Sequence, residues 1–413
     1  MKKVKIIALS LLMFLTSCSK SNNQEIVSED FSHKSIKYVD NLSSNSNSDK
    51  KQNFSVVKEG QEQVIDNKKK DKRESKEIDI LATGDILFHE WINDSYKTEN
   101  GYDYRDIYEP FENMIKNSDL AIANFEQTVD PEKPVSSYPT FNSPVDTIYY
   151  LRDLGFDALG NSNNHVLDNG VEGLISTHKL IEENSMKVFG THLDKERKPT
   201  IVDVNGIKVA LLAYSQFFNG LYEWYITDDN NYLVDDLDMD KVKKDIESVK
   251  DKSDLIIVYP HWGDEYVTEE NSYQTDLAHK MIDMGADLVL GAHPHVLQGS
   301  EEFEKDGKKK FIIYSMGNSM NGQWSGYSDN WATECGVFLN FKVKKTDSDT
   351  QIENIDIIPS YIHHYYDDNN IESVKVYPIR DIVDGKYNDR LDQETISKVT
   401  QYQDWCNEIL NIK

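Results

Sequence analysis

Cysteine is scarce. The chain has three in 413 residues, Cys18, Cys335 and Cys406, which excludes a disulfide-stapled scaffold and a structural zinc site built on thiolates. Cys335 and Cys406 can bridge, but nothing in the sequence requires it. Membrane-spanning length is also missing from the leader: the apolar stretch from Ile6 to Leu15, broken only by Ser10, falls short of the ~20 residues a spanning helix needs. Positive charge is in deficit, with a net of −27 overall and, from residue 78 onward, 30 Lys and Arg against 61 Asp and Glu. Such a domain carries no electrostatic footprint for nucleic acid. It also repels an anionic polymer unless a metal ion or a local basic patch offsets the field. Apolar residues are sparse in 18–77, which is mostly Ser, Asn, Lys, Asp, Glu and Gln. That segment cannot bury enough surface to fold. No internal repeat is visible.

What is present begins with the leader. Met1-Lys2-Lys3-Val4-Lys5 is a positive n-region and Ile6–Leu15 a signal-peptide h-region. Leu15-Thr16-Ser17-Cys18 resembles a bacterial lipobox, in which the cysteine is lipidated and becomes the new N-terminus. The expected organisation is therefore a signal peptide over 1–17, lipidation at Cys18, and a tether over 18–77. The protein is then held at the extracytoplasmic face of the cell membrane through its lipid anchor rather than spanning the bilayer.

From Ile78 onward strands and helices alternate, which argues for an α/β fold. Strands are expected at 78–84, 120–124, 158–161, 187–190, 201–204, 207–214, 255–259, 288–292, 311–315, 336–343 and 352–359. The pair split by Asn205-Gly206 is expected to form a hairpin. Helices are expected at 107–116, 147–154, 173–183, 239–249, 272–284 and about 394–410. The late strand-rich stretch suggests a second, more antiparallel sheet. The main domain is placed at 78–360, with 361–413 a C-terminal extension carrying the last helix.

The polar residues just past the strands form one set. They are Asp85 with His89, Asn124 and Glu126, Asn164 and His165, His261, and His293 with His295. Open α/β sheets place ligands at such strand ends. Carboxylate, amide and imidazole together suit divalent Mn, Fe or Zn. The set is too large for one tetrahedral ion and fits two ions sharing a bridging carboxylate. His178, His192, His279, His363 and His364 are read as structural or surface residues.

Asn164-His165, His261 and Gly291-Ala292-His293-Pro294-His295 resemble, in this order, the motifs of the calcineurin-like metallophosphoesterases. Gly84-Asp85, Asn124-Phe125-Glu126, Asn163 to Gly170, His261-Trp262-Gly263-Asp264-Glu265 and Tyr314 to Asn318 extend the resemblance to the CapA family of poly-γ-glutamate capsule synthesis proteins, over about 78–359. The resemblance implies a four-layer sandwich with two central β-sheets flanked by helices. It implies that Asp85 and His295 serve one metal ion, that Asn164, His261 and His293 serve a second, and that Glu126 bridges. His165 is then the catalytic acid or oxyanion stabiliser, oriented by Asp168. Asn124, Glu265 and Asn318 are substrate or supporting residues. Two departures stand out. His89 follows Asp85 by four residues where the superfamily has Asp-x-His, and Glu126 replaces the usual bridging Asp. His89 is kept as a further candidate ligand. The implied partners are an anionic polymer such as poly-γ-glutamate or its precursor, and membrane-bound capsule synthesis proteins. Two functions follow: a metal-dependent hydrolase of phosphoesterase or amidase type, or a non-catalytic factor that binds and guides the polymer.

Overall fold

The structure, a computed structural model, describes residues 75–412 apart from 329, 348, 368 and 369. The expected signal peptide, Cys18 and the expected tether up to residue 74 lie outside the described residues.

Two sheets carry the domain. The first runs, in spatial order, Glu372–Pro378, Thr350–Tyr366, Cys335–Lys345, Lys76–Ile86, Leu120–Phe125, Ala158–Gly160 and Lys187–Phe189, with Asn318–Met320 also pairing with Lys76–Ile86. The second runs Ser300–Lys305, Lys308–Ile313, Leu288–Leu290, Leu255–His261, Ile207–Ser215 and Thr200–Val204. The centre of each sheet is parallel, with Lys76–Ile86, Leu120–Phe125, Ala158–Gly160 and Lys187–Phe189 in one and Ile207–Ser215, Leu255–His261, Leu288–Leu290 and Lys308–Ile313 in the other. Such strands are covered on both faces and read as near-continuous apolar runs; every residue of Leu120–Phe125 and Leu255–His261 is buried.

The period of two along each strand builds the layers. Ile78, Ile80 and Ala82 face the second sheet, where Val209, Leu211, Ile257, Leu288 and Phe311 meet them in one core. Leu81 faces the other way, into a cluster with Phe111, Ile115, Ile148 and Leu151. On the outer face of the second sheet, Ala210, Leu212, Ile256 and Val258 pack on Val242, Ile246 and Val249 of the Met239–Val249 helix and on Leu277, Ala278 and Met281 of the Ser272–Met284 helix. The order helix, sheet, sheet, helix is the four-layer sandwich expected. The Ser272–Met284 helix starts where its capping box dictates: Asn271 Oδ1 accepts from Gln274 N (3.0 Å), and Gln274 Oε1 accepts from Asn271 N (3.0 Å). The Asn205-Gly206 hairpin forms with both residues left-handed, at φ 52° and 83°, as a two-residue turn between twisted strands requires.

Several elements differ from expectation. The helix expected over 107–116 starts as a 3₁₀ turn, Glu109–Phe111, and becomes α-helical only over Glu112–Asn117; Pro110 has no N–H to donate and fits a first helical turn, not an interior one. The strand Thr350–Tyr366 runs through the boundary placed at 360, and Glu372–Pro378 pairs with it. Residues past 360 thus complete the first sheet, and Val399, Tyr402 and Cys406 of the Gln393–Ile409 helix join the inter-sheet core. The sixth strand of the second sheet, Ser300–Lys305, was not expected; it pairs with Lys308–Ile313 through a turn at Asp306 and Gly307, both left-handed. Among the described residues, no helix is long and apolar enough to cross a membrane.

Candidate metal centre

The strand ends of both sheets open on the same place. In the first sheet Asp85 sits beside Asn124 on one side and Asn318 on the other, where the register shifts on both pairings. The backbones approach closely there: a Cβ on Gly84 would stand 2.0 Å from the Gly317 carbonyl oxygen, so only glycine fits before Asp85. Across the seam, His261 ends its strand and bridges to Ala292, just before His293. His293 and His295 hold left-handed backbones, at φ 100° and 59°. Non-glycine residues persist in that region only where their surroundings over-determine them. The His293 backbone N–H donates to Asp85 Oδ2 at 3.2 Å.

Two groups of ligand atoms result, each within 4.8 Å: Asp85, Glu126 and His295, and Glu126, His261 and His293. Glu126 belongs to both. Its Oε1 lies 3.6 Å from His261 Nε2 and 3.6 Å from His295 Nε2. Asn164 Oδ1 joins the second group, 2.9 Å from His261 Nε2, and His293 Nδ1 is 3.1 Å from the same nitrogen. All these residues are buried.

The protonation states suit a cation. Both Glu126 oxygens are buried without a hydrogen-bond partner. Burial, then the charges of Asp85 and Glu265, push its carboxyl well above the ordinary range. A buried carboxylate left so calls for positive charge. Burial and the neighbouring imidazoles hold His261 well below its ordinary value, and burial with His295 brings His293 down to about 3. Both are neutral near pH 7 and have lone pairs to give. Burial opposes the charged form of His295, but the hydrogen bond and charge of Asp85 outweigh it and raise its pKa. Asn318 settles which nitrogen faces the centre. Its Nδ2 donates to His295 O (3.1 Å) and Thr333 O (2.9 Å), so its Oδ1 accepts from His295 Nδ1–H at 3.0 Å. That leaves His295 Nε2 turned toward Glu126. Asn124 supports the other side, its Nδ2 donating to Asp85 Oδ1 at 2.8 Å.

His165 sits at the edge of the second group. Its Nδ1 lies 2.7 Å from Asp168 Oδ2, which also accepts from the Phe141 backbone N–H at 2.7 Å. The Phe141 ring meets His165 edge-on at 4.8 Å. Asp168 therefore fixes the imidazole's orientation, as a second carboxylate behind a working histidine does. Glu265 is exposed on the turn after His261, and its charge bears on Glu126 and His295.

His89 lies outside both groups. Its Nε2 is 2.8 Å from Asn321 Oδ1 and its Nδ1 3.4 Å from Ser137 Oγ, and burial brings its pKa down to about 4. Asn321 in turn donates to Asn318 Oδ1 at 3.0 Å, so His89 props the residues behind His295. The four-residue offset from Asp85 has this effect: His89 caps the Glu90–Ser95 helix instead of reaching the strand end.

Two contributors were not read from the sequence, Asn321 and Asn219. Asn219 stands in a left-handed conformation (φ 52°) on the loop after Ile207–Ser215. Its side chain spans Asn164 Nδ2 and His165 Nδ1, each at 3.4 Å. Asn219-Gly220 signals a turn, but not that the turn folds over the centre. Phe217 of the same loop lies against His293, ring centroids 5.2 Å apart. This loop walls a cleft of about 660 Å³ that opens beside His293 and carries Glu223, Asp236, Asp264 and Glu265.

Two facing sheets flanked by helices, with histidines and carboxylates gathered at their shared strand ends, define an α/β sandwich that could hold metal. The model of the bacterial capsule synthesis protein PGA_cap family matches residues 79–323, and the chain belongs to that family. It is 28% identical over 267 residues to the capsule biosynthesis protein CapA of Bacillus anthracis (62% of this chain, 63% of that protein). It is also 28% identical over 265 residues to the PGA biosynthesis protein CapA of Bacillus subtilis (61% of this chain, 66% of that protein). The chain thus spans slightly under two thirds of each relative. Among solved structures, the calcineurin-like phosphoesterase YfkN from Bacillus subtilis aligns at 17% identity and a TM-score of 0.41, covering 80% of this chain and 97% of that one.

Proposed function

We propose that this protein acts in the synthesis of a capsule or cell-envelope polymer of the poly-γ-glutamate kind, through a two-ion metal centre. The observation that carries the centre is Glu126, whose buried, unpartnered carboxylate is shared by two ligand groups. Asp85 and His295 would hold one divalent ion of Mn, Fe or Zn and Asn164, His261 and His293 the other, with Glu126 available to both. Bound ions supply a Lewis acid that stabilises negative charge developing on a phosphoryl or carbonyl oxygen. The chain does the rest. Asp168 holds His165 with its Nδ1 engaged, so that Nε2 carries or takes the proton at the leaving group. Phe141 and Phe217 shield the histidines from water. Lipidated Cys18 and the tether keep the domain at the extracytoplasmic face of the membrane, beside membrane-bound partners of the synthesis machinery.

A second reading is a factor that binds the polymer without cutting it, and the acidic cleft makes such binding depend on metal. Four carboxylates beside His293 repel an anionic chain unless metal ions mediate the contact.

Metal removal tests the centre itself. The purified protein should contain about two transition-metal ions, and chelation should lower its stability by about 3 kcal/mol for each ion present at ~100 times its Kd. Refilling with Mn²⁺, Fe²⁺ or Zn²⁺ should restore both stability and turnover of a panel of phosphoesters and γ-glutamyl amides. A melting temperature indifferent to chelation would remove the metal centre. A metal-restored protein with no turnover, but metal-dependent polymer binding, would select the second reading.

A further inference from the structure

Behind the metal centre, the Thr350–Tyr366 strand carries His363 and His364. His364 lies between two indoles, with Trp91 at 5.5 Å and Trp324 nearly parallel at 5.3 Å. Neither His364 ring nitrogen, nor Nδ1 of His363, has a hydrogen-bond partner, although all three are shielded from solvent. Burial brings the two imidazoles down to about 3 and about 4, so near pH 7 each offers one N–H and one lone pair. Buried polar atoms left this way mark a partner still to be supplied. The two histidines line a recess of about 160 Å³, far more than one ordered water needs.

The recess adjoins an open groove, the two sharing Glu394 and Lys398 as walls. The groove has an aromatic shelf. Trp331, 37% exposed, stacks on Tyr402 at 4.5 Å and meets Trp405 edge-on at 4.9 Å. Three tryptophans, Trp324, Trp331 and Trp405, therefore line the recess and groove. The only cation lining it, Lys398, is held by Glu334 at 2.7 Å, while Asp392 and Glu394 add negative charge.

These features select a ligand. It must present flat apolar faces to indoles, and groups that both donate and accept hydrogen bonds to neutral imidazoles. It must carry no negative charge, because the walls are acidic. An ammonium group would leave the imidazole N–H donors unanswered. Sugar rings meet every condition: their C–H faces lie on aromatic rings, and their hydroxyls donate and accept. We propose that the recess and groove bind a neutral glycan chain, one sugar ring beside His364 and the following ones along the Trp331–Trp405 shelf. The site is separate from the metal centre and gives the protein a hold on an uncharged envelope glycan.

Tryptophan fluorescence of the full-length chain in detergent tests this, with the tetramers of N-acetylglucosamine, glucose linked β-1,4 and glucose linked α-1,4 as probes and poly-γ-glutamate as the anionic comparison. At least one tetrasaccharide should give a saturable change. W331A should weaken that binding about tenfold or more, as truncation of an aromatic anchor does, without changing metal content. H364F, which keeps the ring between the indoles but removes its nitrogens, should weaken it as well. W331A alters an exposed shelf and keeps the test decisive if H364F does not fold. No response to any tetrasaccharide, binding of equal strength in W331A, or displacement of the saccharide by poly-γ-glutamate would overturn the proposal.

Discussion

Replacing Glu126 with glutamine should move the metal-free and metal-loaded proteins in opposite directions. Without metal, Glu126 is a fully buried carboxylate with neither oxygen hydrogen-bonded and Asp85 adding like charge. A neutral amide of the same shape relieves that cost, so the chelated E126Q protein should be more stable than the chelated parent, by about 1–3 kcal/mol in a urea titration. With metal the order reverses. Glu126 belongs to both ligand groups, so its loss weakens both ions at once, by more than the roughly 10–100-fold that removal of an outer-shell partner costs. A residue that merely packed well would be destabilised by substitution in either state. The crossing of the two stabilities is therefore the signature of a shared ligand, and a loss in both states would refute it.

The second large effect is on His165. H165A should leave metal content unchanged, because His165 is in neither ligand group. It should lower turnover by about 10²- to 10⁴-fold, the range for removal of a positioned acid or base. D168N should act in the same direction, since the Asp168 carboxylate holds His165 Nδ1 at 2.7 Å. Asp168 also accepts from the Phe141 backbone, so D168N should cost some stability that H165A does not. If H165A retains full turnover, His165 is not the proton carrier. If the parent turns nothing over and both variants bind polymer normally, the protein is the non-catalytic factor.

Much of this centre was legible in the sequence because a parallel strand is an apolar run that stops abruptly. The residue after the stop is where polar side chains can be aimed at a ligand. Asp85, Glu126, Asn164, His261, His293 and His295 all follow such stops, and the structure brings them together. Spacing along the chain did not reveal which polar residues lie in the layer behind. His89 reads as a ligand four residues after Asp85, yet the Glu90–Ser95 helix begins at that point and turns its ring toward Asn321. Asn219 and Asn321 sit in loops whose paths depend on packing far along the chain. The edge strand Ser300–Lys305 was missed because four of its six residues are charged, as edges are, although Asp306-Gly307 marked its turn. The extension of the expected 352–359 strand to Tyr366 and the Glu372–Pro378 strand were missed because apolar and polar residues mix there.

The candidate ligands come from both sheets, Asp85, Glu126 and Asn164 from one, His261, His293 and His295 from the other. An ion bound between them would rivet the seam. No pair of ligand groups from opposite sheets meets until the inter-sheet core has closed, so such a rivet would be set last in folding. Ions should therefore leave the refolding rate nearly unchanged and slow unfolding instead, since contacts absent from the transition state act on the unfolding limb. Stopped-flow chevrons with and without metal would show one arm shifting while the other stays in place. The protein's lifetime, more than its speed of assembly, would then follow the supply of metal around it.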